Sequence, residues 1–223
     1  LDLKLAASLK LTLDDCVRTA TAADIHMNYE IVPTDFIVHS TQLLTSPLFN
    51  ERHEYTHVIT NPPYKKIASS SEHRRLLRSA GIEATNLYAA FIALAVRLLR
   101  PNGELVAITP RSFCNGPYFF PLRKQLLSQM SLRHVHTFEA RDIAFQEDAV
   151  LQENIIFAAV KSSQAQTLEL SSSRGVDLQR VDTRRVGYSA VVHPGDQDLI
   201  IHLPVAQTDS SIVRQMKQLP HSL

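Results

Sequence analysis

The sequence Tyr55-Thr-His-Val-Ile-Thr-Asn-Pro-Pro-Tyr64 joins an apolar strand to a turn that cannot continue it. Residues 55–60 are β-branched and apolar enough to predict a buried parallel strand. Pro62 and Pro63 then end the strand, because neither has a backbone N–H and each keeps the preceding residue out of helical geometry. Ligands bind at the carboxyl edge of open α/β sheets. Residues 61–64 are therefore predicted to form a stiff turn at a binding site.

Composition describes an ordinary soluble globular chain. Hydrophobic residues make up 44% of the 223 positions and charged residues 20%, as in typical globular domains. No apolar run approaches the roughly 20 residues that a membrane span needs, and no signal-peptide pattern opens the chain. With only Cys16 and Cys114 there is no disulfide framework. These features predict a cytoplasmic protein without membrane partners.

Helices and strands are predicted to alternate along the first 161 residues. Helical spacing of apolar residues is found over 3–17, 72–79, 86–99 and 118–129, and strand patterns over 31–38, 55–60, 104–109, 132–138 and 154–160. Asn86 is the predicted N-cap of the strongest helix. This alternation predicts a mostly parallel α/β sheet.

The chain is predicted to change character after residue 161. Residues 162–185 show little regular patterning, and 188–203 look rich in strand. We therefore predict a domain over 1–161 and the start of a different, β-rich domain over 162–223. Because the chain opens with Leu1 on a helix-like pattern without a preceding strand, we also expect an upstream piece.

Charge is distributed unevenly. Residues 1–60 contain 4 Lys/Arg and 8 Asp/Glu, residues 61–141 contain 12 and 4, and residues 142–223 contain 7 and 10. The positive segment, with a net charge of +8, begins at the Asn-Pro-Pro-Tyr turn. Solvated helix faces would give such charges too, but their clustering around the turn favours a polyanion held through its phosphates. The candidates for nucleic-acid binding are Lys65, Lys66, Arg74, Arg75 and Arg111.

Several kinds of chemistry have no support in these residues. The turn has no nucleophile with a paired base, and with 6 Gly in the chain no G-x-G-x-x-G loop is present. The close pairs His134/His136 and His193/His202 lack a third ligand, so no metal site is predicted. What the turn does offer is two acceptors, the Asn61 amide oxygen and the Pro62 carbonyl, beside the ring of Tyr64. This set suits a planar ring that carries an exocyclic amino group.

The motif Asn61-Pro62-Pro63-Tyr64 resembles the catalytic motif of DNA methyltransferases that modify amino groups with S-adenosylmethionine. The wider pattern resembles adenine-specific modification methylases of restriction–modification systems, in the Eco57I-like and PaeR7I-like branch. The supporting features, which cover roughly residues 1–161, are Thr34-Asp35-Phe36, Asn86-Leu87-Tyr88-Ala89-Ala90-Phe91, Arg111-Ser112-Phe113-Cys114-Asn115-Gly116, and Phe145 ahead of Val150-Leu151-Gln152-Glu153-Asn154.

The resemblance implies a fold and a role for each matching residue. The fold would be a Rossmann-like, S-adenosylmethionine-dependent methyltransferase sheet that is incomplete at its N-terminus, because the family's glycine-rich cofactor loop lies upstream. Asn61, Pro62 and Tyr64 would be catalytic, and Tyr64 and Phe145 would stack on a flipped adenine. The cofactor would contact Asp2, Asp35, Phe36 and Phe91.

The function implied by the resemblance is methylation of an adenine amino group in a specific double-stranded DNA sequence, which protects host DNA from a restriction endonuclease. Residues 162–223 would begin the target-recognition domain. Three alternatives stay open. The same tetrapeptide serves methyltransferases of RNA guanine or protein glutamine, cytosine is a second amino acceptor in DNA, and the chain could be a decayed methylase that only binds DNA.

Overall fold

The computed structural model describes residues 3–45, 55–138, 153–173 and 181–203. Within these ranges no helix is long and apolar enough to cross a membrane. The helices are α1 (Leu3–Ala22), α2 (Phe36–Thr45), α3 (Glu72–Ser79), α4 (Leu87–Leu98) and α5 (Phe120–Gln129). The strands are β1 (Tyr55–Thr60), β2 (Leu99–Pro110), β3 (Ser131–Phe138), β4 (Asn154–Val160), β5 (Thr167–Ser173) and β6 (Val181–Gly187).

The strands form a six-stranded sheet in the order β1-β2-β4-β3-β5-β6. β1 is parallel to β2 and β3 is parallel to β5, while β4 runs antiparallel to both β2 and β3 and β6 runs antiparallel to β5. The α/β prediction is confirmed. The strand pairing of the sheet is mixed, because β4 and β6 run against the direction shared by the other four strands.

The core lies between the sheet and helix α4. That helix is apolar on almost every side, as expected for a buried helix, and Leu94 and Val96 are completely buried. Against it pack the side chains on one face of the sheet, including Leu105, Val135 and Phe157, each at most 1% exposed. Burial of such side chains is the main source of stability.

Strand β1 has the bounds that the sequence predicts, but the expected burial is wrong for the described sheet. β1 lies at its edge and pairs with β2 alone among the described strands. The side chain of Ile59 is 86% exposed, so the face of β1 on which it lies is open. Exposed and half-buried residues alternate over 57–60 and both Tyr55 and Thr56 are exposed, as in a strand with one open face.

The strand predicted over residues 31–38 is wrong. Helix α2 begins at Phe36, inside that range. The side chain of Asp35 accepts hydrogen bonds from the backbone N–H groups of Ile37 at 2.9 Å and Val38 at 3.0 Å. Asp35 thus caps the helix through one carboxylate oxygen. The β-branched sequence pattern, which predicts a strand, does not show this capping.

The region after residue 161 also differs from its prediction. β5 and β6 form where little regularity was expected, and 188–203 contains a 3-10 turn at Tyr188–Ala190 and a single bridge between Val192 and Ile201 rather than strands. The sheet and the core continue through this region, with Leu168 and Leu203 in the same buried cluster as α4. The functional division at residue 161 stays a prediction.

Candidate functional site

The Asn-Pro-Pro-Tyr turn lies at the carboxyl edge of two parallel strands. Thr60, the last residue of β1, is in register with Ala107, and β2 ends three residues later at Pro110. The segments that follow β1 and β2 therefore leave the sheet at the same edge. In the turn, Asn61 is exposed, Pro62 is buried, and Tyr64 is half-buried and packs against the core.

The main chain after Tyr64 is fixed to the beginning of helix α4. Leu87 donates its backbone N–H to the carbonyl of Lys65, and Ile67 donates to Thr85, both at 2.8 Å. Lys66 and Asn86 form an antiparallel bridge between these contacts. Asn86 occupies the predicted N-cap position of α4, although its side chain makes no capping hydrogen bond. The backbone at the turn is thereby held from both sides, by β1 and by α4.

An aromatic chain continues from the turn into the core. The ring of Tyr64 meets that of Tyr88 edge-on, with centroids 6.0 Å apart and an interplanar angle of 84°. Tyr88 is 2% exposed and packs on Phe119 at 5.3 Å. Its hydroxyl lies 3.4 Å from Ser112 Oγ, and burial raises the pKa of Tyr88 to about 12. Tyr88 therefore stays neutral and connects the turn to the loop that follows β2.

The described residues predicted to hold the cofactor lie together at the start of α2 and in α4. The rings of Phe36 and Phe91 have centroids 4.5 Å apart and are tilted by 36°. The Asp35 carboxylate uses Oδ1 to cap α2, and its Oδ2 lies 3.2 Å from His73 Nε2. His73 belongs to α3, and nothing in the sequence around it pointed to this contact.

The loop after β2 is anchored from several directions. Its 3-10 turn, Arg111–Cys114, contains the thiol of Cys114. Burial raises the pKa of this thiol to about 12, so the thiol is no nucleophile at neutral pH. Cys114 accepts a backbone hydrogen bond from Ile201 at 2.9 Å. The buried guanidinium of Arg123 donates to the carbonyls of Phe113 at 2.9 Å and Gly116 at 2.7 Å. In the sequence, Arg123 is marked only by its place in the positive segment.

The predicted DNA-binding residues fall into two groups. Lys65 and Lys66 are exposed beside the turn, and Arg75 is 77% exposed, with Glu72 3.8 Å away. The other two have internal acceptors. Arg74 pairs with Glu83 at 3.1 Å, and Arg111 pairs with Glu153 at 3.2 Å and donates to the Leu203 carbonyl at 3.1 Å.

Two predicted site residues, Asp2 and Phe145, lie outside the described residues. No group of His, Cys, Asp and Glu that could hold a metal ion occurs in the part of the chain that the structure describes. The close histidine pairs have other contacts there. His134 and His136 both lie within hydrogen-bonding distance of Ser171, at 2.7 and 2.8 Å, and the rings of His193 and His202 lie 4.2 Å apart.

Comparison with known proteins gives consistent relatives. A family model described as Eco57I restriction-modification methylase matches residues 12–145. The chain is 43% identical over 191 residues to the Type II methyltransferase M.BsuBI of Bacillus subtilis, which covers 84% of this chain and 38% of that protein. It is 41% identical over 212 residues to the Type II methyltransferase M.PstI of Providencia stuartii, covering 95% of this chain and 41% of that protein.

The chain thus spans about two fifths of the length of these relatives. A solved structure from a study of complex assembly and conformational transition in a type I restriction–modification system has a TM-score of 0.58 at 11% sequence identity. That likeness covers 85% of this chain and 46% of the other. At this identity it supports the fold alone.

Proposed function

This chain belongs to the Eco57I restriction-modification methylase family, and from that membership we propose that it transfers a methyl group from S-adenosylmethionine to the exocyclic amino group of an adenine in a specific DNA sequence. The observation that carries the proposal is the rigid turn at the sheet edge. It holds the exposed Asn61 and the buried Pro62 next in sequence to the half-buried Tyr64, and we take the Asn61 amide oxygen and the Pro62 carbonyl as the acceptors beside that ring.

The residues present fit the methyl donor. Phe36 and Phe91 form a half-buried aromatic pair next to the Asp35 carboxylate, and this combination of apolar rings and an acceptor suits an adenosine group. We propose that Phe36, Phe91 and Asp35 hold the adenosine, with Asp2 as a further contact. When bound, S-adenosylmethionine supplies an electrophilic methyl group.

In the proposed mechanism, Asn61 Oδ1 and the Pro62 carbonyl accept the two amino hydrogens of the target base. These hydrogen bonds would draw the nitrogen lone pair out of conjugation with the ring and leave it available as the nucleophile. The new nitrogen–methyl bond would form as the sulfonium–methyl bond of bound S-adenosylmethionine breaks, and the amino group would give up one proton. Tyr64 stacks on the base, and Phe145 is the proposed second ring. The protein contributes position and preorganised dipoles rather than a covalent intermediate.

The DNA part of the proposal rests on charge and on the family. An adenine reaches such a pocket only after it is flipped out of the helix, which costs a few kcal/mol supplied by DNA contacts. Lys65 and Lys66 are exposed beside the turn and Arg75 is exposed on α3, and all three suit phosphates. We propose that Arg74 and Arg111 contribute after exchanging their internal acceptors, and that residues 162–223 lead into target recognition. A cytoplasmic location and a paired restriction endonuclease complete the proposal.

The test is Asn61→Ala in the full-length protein. We expect methyl transfer to adenine-containing duplex DNA to fall by about 10²–10³-fold, as for loss of one preorganised hydrogen-bonding group, with DNA binding retained. The matched control is Asn102→Gly at the opposite end of β2, where a φ of 63° suits glycine. Full turnover by Asn61→Ala would contradict the mechanism.

The acceptor is tested with the same preparation. Labelled methyl transfer is compared among four substrates. These are a DNA duplex with adenine at the modified position, the same duplex with cytosine at that position, RNA, and protein. Transfer to RNA, protein or cytosine instead of adenine would overturn the proposed substrate. Binding of DNA without binding of S-adenosylmethionine in calorimetry would indicate a decayed methylase. Tyr64→Ala is expected to lose less activity than Tyr64→Asp, because a charge beside the base adds to the loss of stacking.

A further inference from the structure

We propose that Tyr88 is a positioning residue that holds the ring of Tyr64 in the orientation required for stacking on the target base. This inference rests on the proposed function and adds to it a residue that does not itself touch the substrate.

The contact between the two rings has a geometry that favours one orientation of Tyr64. Their planes are 84° apart at a centroid distance of 6.0 Å, which is an edge-to-face arrangement of favourable energy. Tyr88 is 2% exposed whereas Tyr64 is half-buried. The buried ring is therefore the fixed support, and the ring of Tyr64 is the one that is partly exposed.

Tyr88 is itself held from the other side. Phe119 packs on its ring at 5.3 Å with a tilt of 34°, and Ser112 Oγ lies 3.4 Å from its hydroxyl. Both residues belong to the segment that follows β2. The orientation of Tyr88 is thus determined by a second loop at the same edge of the sheet. A shift of that loop would therefore change the contact between Tyr88 and Tyr64.

The beginning of α4 makes both kinds of contact. Asn86 and Leu87 take part in the backbone contacts that fix the chain after Tyr64, and Tyr88 supports the Tyr64 ring. Phe91, three residues later, packs on Phe36 instead. Because the two aromatic contacts are separate, loss of the Tyr88 ring is expected to slow methyl transfer without weakening the binding of S-adenosylmethionine.

The test is a double-mutant cycle of Tyr64→Ala and Tyr88→Leu in the full-length protein, measured as the single-turnover rate of methyl transfer to DNA. If Tyr88 acts through Tyr64, each variant is expected to lose about 5- to 150-fold, which is the contribution of one stacked base. The double variant should then be no slower than the slower single variant. The dissociation constant of S-adenosylmethionine should stay within about twofold.

Three further variants complete the test. Tyr88→Phe keeps the ring and is expected to restore a rate near that of the wild type. Tyr88→Met fills the volume without a ring and replaces the leucine variant if that protein does not fold. Tyr55→Leu, at the opposite end of β1, is the matched control for loss of a tyrosine.

Two results would overturn the role of Tyr88 while the proposed function stands. The first is that the wild type methylates DNA and the losses of rate in the two single variants multiply in the double variant. The second is a loss in Tyr88→Phe as large as in Tyr88→Leu or Tyr88→Met. A full-length wild type that does not methylate DNA overturns the proposed function, and the role of Tyr88 with it.

Discussion

The guanidinium of Arg123 and the backbone carbonyl of Asp198 join two segments that are 75 residues apart in sequence. Nε and Nη2 of Arg123 donate to this one oxygen at 3.0 and 2.9 Å. The remaining nitrogen, Nη1, donates to Phe113 and Gly116 in the loop that follows β2. At 1% exposure, Arg123 is a buried cation satisfied by carbonyl dipoles. It therefore fastens the segment after β6 to the edge of the sheet that carries the site.

Arg123→Met is expected to destabilise the protein. The change keeps an apolar stem of similar length but leaves the carbonyls of Phe113, Gly116 and Asp198 without this donor. An unsatisfied acceptor in a buried position, such as the carbonyl of Phe113, costs about 1–3 kcal/mol. The expected loss in the free energy of unfolding is therefore about 2 kcal/mol or more, measured by urea denaturation. Lys124→Met, at the exposed neighbouring position, is the control. Equal midpoints for the two variants would show that the buried network contributes nothing.

The secondary structure that the sequence predicts correctly is local in origin. β1 and β4 have the predicted bounds, and α4 lies within one residue of its predicted ends, because apolar runs bounded by proline, glycine or a capping residue carry their own signals. The strand expected over 31–38 failed because Asp35 capped a helix that propensity alone did not favour. β5 was missed for a different reason. Its sequence, Thr-Leu-Glu-Leu-Ser-Ser-Ser, becomes a strand by pairing with β3.

The site shows the same division between local and tertiary signals. The Asn61–Tyr64 turn and the Phe36/Phe91 pair correspond to motifs that are visible in the sequence, and the structure does bring the two rings of that pair together. Contacts between distant elements carried no such signal. The approach of His73 to Asp35 depends on how α3 packs on α2, and the contact of Tyr64 with Tyr88 depends on the position of α4 beside the turn.

His136 is expected to make the stability of the fold depend on pH. Burial, with a smaller contribution from His134, lowers the pKa of His136 below its usual 6.5. In the folded protein the neutral ring lies 2.8 Å from Ser171 Oγ and 3.0 Å from Ser173 Oγ. Because the unfolded chain binds a proton more readily, this contribution to stability is complete above pH 6.5 and is lost as the pH falls below that value.

The measurement is the free energy of unfolding at pH 7.5, 6.0 and 5.0 for the wild type and for His136→Gln, which keeps hydrogen-bonding capacity but does not titrate. We expect the wild type to lose more stability than the variant on acidification. The difference between the two profiles isolates this residue from the chain's other histidines. Parallel profiles would mean that His136 takes up its proton equally well in the folded and unfolded states.

The aromatic pair of Phe36 and Phe91 gives a prediction about affinity that is independent of catalysis. Phe91→Leu preserves an apolar side chain but removes the ring that packs on Phe36 at 4.5 Å. In the proposed site the ring of Phe91 also contacts the adenosine, and such an aromatic contact adds about 0.5–1.5 kcal/mol to the burial of its area. Its loss corresponds to an affinity for S-adenosylmethionine weaker by about 2- to 13-fold. Calorimetry with the full-length protein measures this directly. Phe157→Leu, in the core with 1% exposure, controls for general loosening of the fold. If the two variants bind the methyl donor with the same dissociation constant as the wild type, Phe91 does not contact it, and the cofactor must lie elsewhere along the sheet edge.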